Sequence, residues 1–190
     1  MTTQPLTFMD VLFTAASAAT VTGLTVVTTS TSFTPLGQFV LLGLIQLGGL
    51  GYVVLVVAEL RLLGRHVPLT ERLALANELG IGRTHSVFSI LQRTIVFMLL
   101  IEGVGAAVLF LYWSAVGLAP GGRTLFYAVF HSVAAFCNAG FDLFSGGTGG
   151  PTGPPVDIPT MWIMGVIVIF GGLGIPVYLD LLYTRRRKRF

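Results

Sequence analysis

Residues 17–24 read SAATVTGL and residues 134–141 read AAFCNAGF, and the two stretches align at an offset of 117. A second pair, QLGGLGYVV at 46–54 and IFGGLGIPV at 169–177, aligns at an offset of 123. The six extra residues fit a glycine- and proline-rich connector at 145–155. The chain therefore contains an internal repeat, in which each copy reads as a short apolar helix, a glycine-containing loop and a longer apolar helix.

The composition is that of a membrane protein. Of 190 residues, 54% are hydrophobic and only 10% are charged, whereas a soluble globular domain carries about 25% charged residues. This balance argues against an ordinary cytosolic enzyme. The single cysteine, Cys137, cannot form an intrachain disulfide, and the sequence has no Cys/His cluster spaced for zinc.

Three apolar stretches are long enough to cross a hydrocarbon core of about 30 Å as helices, namely residues 36–58, 94–116 and 160–182. Two shorter stretches, 6–21 and 125–139, would extend only about 22 Å at 1.5 Å per residue. The sequence thus predicts an all-α integral membrane protein in which two apolar helices are too short to span.

The placement of basic residues predicts the orientation. Five arginines lie between the first and second long stretches, and RRRKR at 185–189 follows the third. Both regions are expected in the cytoplasm, the basic tail as an anchor and not as a nucleic-acid site. The segment 117–159 then begins and ends outside, so 125–139 must enter the membrane and return as a re-entrant half-helix. The same count predicts a second half-helix at 6–21, an external N-terminus and a cytoplasmic C-terminus.

Re-entrant loops predict a pore or a binding cavity, because irregular backbone is tolerated at membrane depth only inside protein or beside water. The loops around Gly23 and Gly140 have small residues whose carbonyls could replace the hydration shell of a potassium-sized ion. The C-terminus of each half-helix would also present a partial negative charge to a cation. A turn glycine is also expected in any re-entrant hairpin, but the internal repeat favours the ion-binding interpretation.

Polar residues inside the apolar stretches have structural interpretations. Thr7 and Asp10 resemble a capping box at the start of the first half-helix. Gln46 is expected to form an interhelical hydrogen bond. An ionised carboxylate at the depth of Glu102 costs about 2.5–3.5 kcal/mol, so we expect a hydrogen-bond or ion-pair partner, with Arg93 as a candidate and a direct role in conduction as the alternative.

Other motifs allow two interpretations each. Asp142 either attracts cations at the outer mouth or is a solvated loop residue. His131 and Ser132 suggest an intramembrane protease, but adjacent residues on a helix do not face each other. The two GGLG sequences, at 48–51 and 171–174, lie inside apolar stretches and not after a strand, so close helix packing explains them better than dinucleotide binding.

Four stretches carry a family resemblance: LFTAASAATVTGLTVV at 12–27, LIQLGGLGY at 44–52, FHSVAAFCNAGFDLF at 130–144 and GGLGIPV at 171–177. They resemble the first two repeats of the Trk/Ktr/HKT superfamily of potassium transporters, most closely the bacterial TrkH/KtrB-type membrane subunit. Such proteins arrange four units of helix, pore loop and helix around one pore, each unit giving one filter loop with a central glycine. The ion-binding positions that the resemblance implies are Thr20, Val21, Thr22 and Gly23 in the first loop and Cys137, Asn138, Ala139 and Gly140 in the second.

The resemblance also implies a division of the chain. Residues 1–60 would be the first repeat without its leading helix, 61–93 a basic cytoplasmic loop, 94–184 the second repeat and 185–190 a basic tail. It implies potassium as the transported substrate, with glycine in the first loop favouring potassium over sodium. It implies no catalytic residues, no cofactor in this chain, a cytosolic nucleotide-binding regulatory ring as partner and a homodimer of the full-length subunit.

Three functions remain open on the sequence. Because a complete member of the family has two further repeats, the chain is expected to be part of a pore-forming subunit for potassium uptake, or to form a pore from two copies. The second possibility is a non-conducting structural or assembly subunit. The third is a secondary transporter for an organic solute, with discontinuous helices aimed at substrate groups near the midplane.

Overall fold

The computed structural model describes residues 2, 3, 5–51, 87–118, 122–145, 155, 157–173 and 177. These residues form six helices and no β-strand: α1 (Phe8–Ala19), α2 (Thr29–Ser32), α3 (Pro35–Gly49), α4 (Val87–Val116), α5 (Thr124–Phe136) and α6 (Ile158–Gly172). The predicted all-α class is confirmed for this part of the chain. Most of the predicted basic loop at 61–93 and the whole tail at 185–190 lie outside the described residues.

The chain divides into two compact units. One comprises residues 1–49 and 100–172 and contains both predicted half-helices. The other comprises residues 50–99 and 173–190, of which the structure describes mainly the first part of α4. The packing below concerns the first unit, in which α1 packs on α3, α3 on α5, and α5 on α6.

One described helix is long and apolar enough to cross a membrane, over Thr94–Val116 within α4. The helices α1, α3, α5 and α6 are apolar but shorter. The expectation of an unbroken helix over 36–58 needs correction, because α3 ends at Gly49 and Gly51 has a φ of 76°. A left-handed glycine just past the last turn is a common helix stop. In the predicted stretch 160–182, α6 ends at Gly172, and the residues from 174 on, except 177, lie outside the described part.

The first half-helix, α1, begins with the predicted capping box, and the segment that follows it runs back to the start of the helix. The Asp10 N–H donates to Thr7 Oγ1 (3.3 Å) and the Thr7 N–H donates to Asp10 Oδ2 (3.1 Å). After α1 the chain comes back to its beginning, where the Thr3 N–H donates to the Ser32 carbonyl at 2.9 Å. A helix of 12 residues is about 18 Å long, so the intervening loop retraces that distance.

The segment after the second half-helix, α5, runs back along that helix in the same way. Phe144, eight residues beyond its end, packs edge-on against Tyr127 in the first turn, with ring centroids 5.1 Å apart. Trp113 of α4 lies edge-on to Phe144 at 5.1 Å and donates a hydrogen bond from Nε1 to Thr160 Oγ1 at 2.9 Å. These buried aromatic contacts hold residues 141–145, which we call the return segment, against α4, α5 and α6.

Glycines near the ends of α3 and α6 allow these helices to approach the C-terminal ends of α1 and α5 closely. A Cβ atom on Gly48 would overlap the Ala19 carbonyl oxygen and lie 2.6 Å from Val21 Cγ2. A Cβ atom on Gly171 would overlap the Phe136 carbonyl oxygen and lie 2.7 Å from its carbonyl carbon. The two contacts are equivalent in the repeat, and they confirm close packing at the first glycine of each GGLG sequence.

Alanine substitutions at these glycines test the packing. Gly48→Ala and Gly171→Ala should each destabilise the protein by about 1–3 kcal/mol, because overpacking forces the backbone to shift. The matched controls are Gly43→Ala in α3 and Gly165→Ala in α6, which have no described atom within 4 Å of the added Cβ. They should be neutral or stabilise by about 0.5–1 kcal/mol. Thermal unfolding in detergent measures all four, and equal effects in both pairs would contradict the packing.

Candidate functional site

The first loop leaves α1 through a helix-ending motif. The Val21 N–H donates to the Ala18 carbonyl at 3.2 Å, and the Thr22 N–H donates to the Ser17 carbonyl at 2.9 Å. These are the paired bonds of a Schellman motif, which satisfies carbonyls at the end of a helix and turns the chain sharply. The residue at the turn, Val21, has a φ of 56°.

The second loop repeats this arrangement 117 residues later. The Asn138 N–H donates to the Ala135 carbonyl at 3.1 Å, and the Ala139 N–H donates to the Ala134 carbonyl at 2.8 Å. Asn138 also has a φ of 56°. The alignment of the two sequences therefore corresponds to the same backbone hydrogen bonds and the same left-handed turn in both repeats.

Left-handed residues other than glycine indicate local strain. Asn tolerates this conformation, but a β-branched residue such as Val21 rarely adopts it. Such a residue costs about 1–3 kcal/mol and persists only where the surrounding structure fixes it. Gly48, against which Val21 packs, supplies part of that support. The sequence predicts a special backbone conformation only at the glycines, and it gives no signal for this turn because valine does not favour a left-handed conformation.

The two loops meet at their glycines. Gly23 has a φ of 77° and Gly140 a φ of 69°. A Cβ atom on Gly23 would lie 2.6 Å from the Ala139 carbonyl oxygen, so both conformation and space require glycine there. A Cβ atom on Gly140 would lie 3.4 Å from Gly23 Cα, which is ordinary contact, so conformation is the main requirement at this position. Sequence-predicted residues from both repeats thus lie side by side.

The predicted ion-binding residues differ in exposure. Thr20, Thr22, Asn138 and Gly140 are exposed, Val21, Gly23 and Cys137 are half-buried, and Ala139 is buried. Thr20 Oγ1 donates to the Ala16 carbonyl at 2.8 Å and lies 2.6 Å from Thr22 Oγ1. The Cys137 side chain packs on Gly49, where an added Cβ would lie 2.8 Å from Cys137 Cβ.

Asp142 fastens the return segment of the second loop. Its carboxylate accepts hydrogen bonds from the backbone N–H groups of Phe144 (2.9 Å) and Ser145 (2.7 Å) and from the Ser145 hydroxyl. Partial burial raises the pKa of Asp142, but the hydrogen bonds from His131, Ser145 and Phe144 lower it by more, so the pKa lies well below its usual range. Its hydrogen-bonded, partly buried carboxylate does not fit the interpretation as a solvated loop residue.

His131 is the side-chain partner of Asp142, which the sequence did not reveal. It is 1% exposed, its Nδ1 lies 2.8 Å from the Tyr127 carbonyl, and its Nε2 lies 3.2 Å from Asp142 Oδ1. Because the Tyr127 carbonyl and an ionised carboxylate can only accept, Nδ1 donates to the carbonyl, and Nε2 donates to Asp142 only when the ring carries a second proton. The neighbouring Ser132 instead donates from Oγ to the Glu102 carbonyl at 2.7 Å. The two side chains therefore serve different partners.

A second polar pair joins α3 to α4. Gln46 Nε2 lies 3.1 Å from both carboxylate oxygens of Glu102. Glu102 is expected from the sequence to have a partner, and Gln46 to form an interhelical hydrogen bond. Both expectations are confirmed, because the two side chains bond to each other. The alternative partner, Arg93, has its side chain outside the described residues.

Comparison with known proteins assigns the family. The family model described as TrkH, cation transport protein, matches residues 1–190. The chain belongs to this family. It is therefore a membrane protein of a transporter class, consistent with the Thr94–Val116 helix.

Three relatives show how far the similarity extends. The Ktr system potassium uptake protein B of Bacillus subtilis is 38% identical over 192 residues, covering 100% of this chain and 41% of the relative. The protein of the same name from Vibrio alginolyticus is 36% identical, with 97% and 39% covered. The potassium/sodium uptake protein NtpJ of Enterococcus hirae is 31% identical, with 96% and 39% covered. The chain spans about two fifths of the length of these relatives.

Replacing Asp142 tests the return segment. Asp142→Asn should destabilise the protein by about 1.5–3 kcal/mol, because it removes the charge from hydrogen bonds to two backbone N–H groups. Asp10→Asn is the matched control, since this half-buried carboxylate only caps α1 and its replacement should cost about 1 kcal/mol or less. Denaturant unfolding in detergent gives both values, and an Asp142 effect no larger than that of Asp10 would contradict the assignment.

Proposed function

We propose that the two glycine loops line part of a pathway for potassium uptake across the cytoplasmic membrane. The observation that carries this proposal is that two loops with the same backbone, each at the C-terminal end of a half-helix, contact each other at Gly23, Ala139 and Gly140. Each half-helix directs a partial negative charge toward its loop, which favours a cation there.

The proposed filter positions are those that the family resemblance implies. Carbonyl oxygens of Thr20, Val21, Thr22 and Gly23 act with those of Cys137, Asn138, Ala139 and Gly140 in place of the hydration shell of the ion. Potassium is the transported substrate, and the chain uses no cofactor. Two loops do not surround an ion, so further loops or a second copy complete the ring.

The names of the relatives support the ion but leave its selectivity open. Two are named for potassium uptake and one for potassium and sodium. Preference for potassium over sodium is therefore part of the proposal, with glycine at position 23 as its basis.

The membrane arrangement is proposed on the same grounds. Large apolar side chains of α1, α3 and α6 are exposed, among them Phe8 (77%), Phe39 (64%) and Trp162 (72%), which suits contact with lipid or further helices. The half-helices enter from outside, and the arginine-rich parts, 61–93 and 185–190, face the cytoplasm. A cytosolic nucleotide-binding ring and a second copy of the natural-length protein are the proposed partners.

Filter-glycine variants test the function in the natural-length protein, expressed in bacteria that lack potassium uptake. Gly140→Ala should lower rubidium uptake about tenfold, because an alanine held left-handed is strained by about 1–2 kcal/mol and displaces the carbonyls. Gly23→Ala should be more severe, since its Cβ also meets Ala139. Gly103→Ala in α4, with no described atom within 4 Å, is the control.

Membrane abundance of each variant must be measured beside uptake. Normal insertion with abolished uptake supports a filter. Unchanged uptake in Gly140→Ala would contradict it, and wild-type protein that inserts but transports no monovalent cation would favour a non-conducting assembly role.

A further inference from the structure

Glu102 lies buried in the helix that is long enough to cross the membrane. Its side chain is 4% exposed, and its carboxylate accepts from Gln46 of α3. Carboxylates at such positions are rare and are usually retained for a function. In the proposed function the filter loops contact the ion, which leaves the Glu102 side chain to hold another part of the structure in place.

The helix that carries Gln46 touches both filter loops. Two and three residues beyond Gln46, Gly48 packs on Val21 of the first loop and Gly49 packs on Cys137 of the second. Residues three apart share a helix face, so the hydrogen bond to Glu102 and the contact with Cys137 occur on the same side of α3. Any rotation or sliding of α3 relative to α4 would move both loop contacts together.

Glu102 is also linked to the second loop from the other side. Its backbone carbonyl accepts the Ser132 hydroxyl at 2.7 Å, and Ser132 lies on α5 five residues before Cys137. One turn along α4, a Cβ on Gly105 would lie 2.6 Å from Ser132 Oγ, so the two helices are in close contact there.

We propose that Gln46 and Glu102 form a positioning pair that sets the potassium-to-sodium selectivity of the pore, by fixing α3 between the two filter loops. The inference rests on the proposed function and extends it to residues that do not touch the ion. Discrimination between two cations of equal charge depends on the placement and number of coordinating carbonyls. A pair that fixes the support of both loops therefore acts on selectivity more than on abundance.

A charge-relocation series tests the pair in the natural-length protein, reconstituted in liposomes. Potassium and sodium uptake are measured for wild type, Glu102→Gln, Gln46→Glu and the double variant that carries both changes. Each single variant should lower the potassium-to-sodium ratio about tenfold, because Glu102→Gln replaces a carboxylate acceptor by a weaker amide acceptor and Gln46→Glu places two carboxyl groups side by side. The double variant re-forms an amide-to-carboxylate bond with the partners exchanged and should recover most of the ratio.

Val104→Gln is the matched control, because it introduces the same amide on α4 at a residue that is 57% exposed. Its ratio should equal that of wild type. Robust uptake with an unchanged ratio in both single variants overturns the inference while leaving the proposed function intact. So does failure of the double variant to recover, or an equal loss of both ions at reduced abundance. Absence of potassium uptake by wild type overturns the proposed function and the inference with it.

Discussion

A glycine Cα resting on the last carbonyl of a half-helix fixes the geometry of each repeat. Gly48 occupies this place against Ala19, and Gly171 occupies it against Phe136. The carbonyls at a helix end have no intrahelical partner, and the chain must leave the helix there. With no side chain between them, the longer helix presses against the point where the left-handed turn begins. A turn that holds a valine at a φ of 56° needs such support.

Pairs of polar side chains hold the two loops in place in addition to the glycine packing. Asp142 and His131 tie the return segment of the second loop to the half-helix that precedes it. Gln46 and Glu102 tie the first repeat to the second. In a membrane an unpaired buried polar group is costly, because lipid offers no hydrogen bonds. Paired as they are, these groups stabilise one arrangement of the loops over others that apolar packing alone would permit.

Much of this arrangement could be predicted from the sequence, because it depends on residue patterns that are visible along the chain. The internal repeat, the capping box at Thr7 and both half-helices follow from spacing and apolar length. The helix stop at Gly49 could not be read from hydropathy, since leucine and valine continue past it while the backbone breaks at Gly51. The bond between Asp142 and His131 could not be predicted either, because the sequence indicates that the chain reverses after α5 but not which residues then lie opposite each other. The role of the loops as ion ligands remains a proposal.

The position of a bound ion would show directly whether the two loops bind cations. Crystals of the natural-length protein grown in rubidium, recorded at the rubidium absorption edge, would place the ion by its anomalous signal. Ion binding by both loops predicts a peak in contact with carbonyl oxygens at 20–23 and at 137–140, which weakens when potassium competes with rubidium. A rubidium peak that touches neither loop, in protein that binds rubidium in solution, would contradict it.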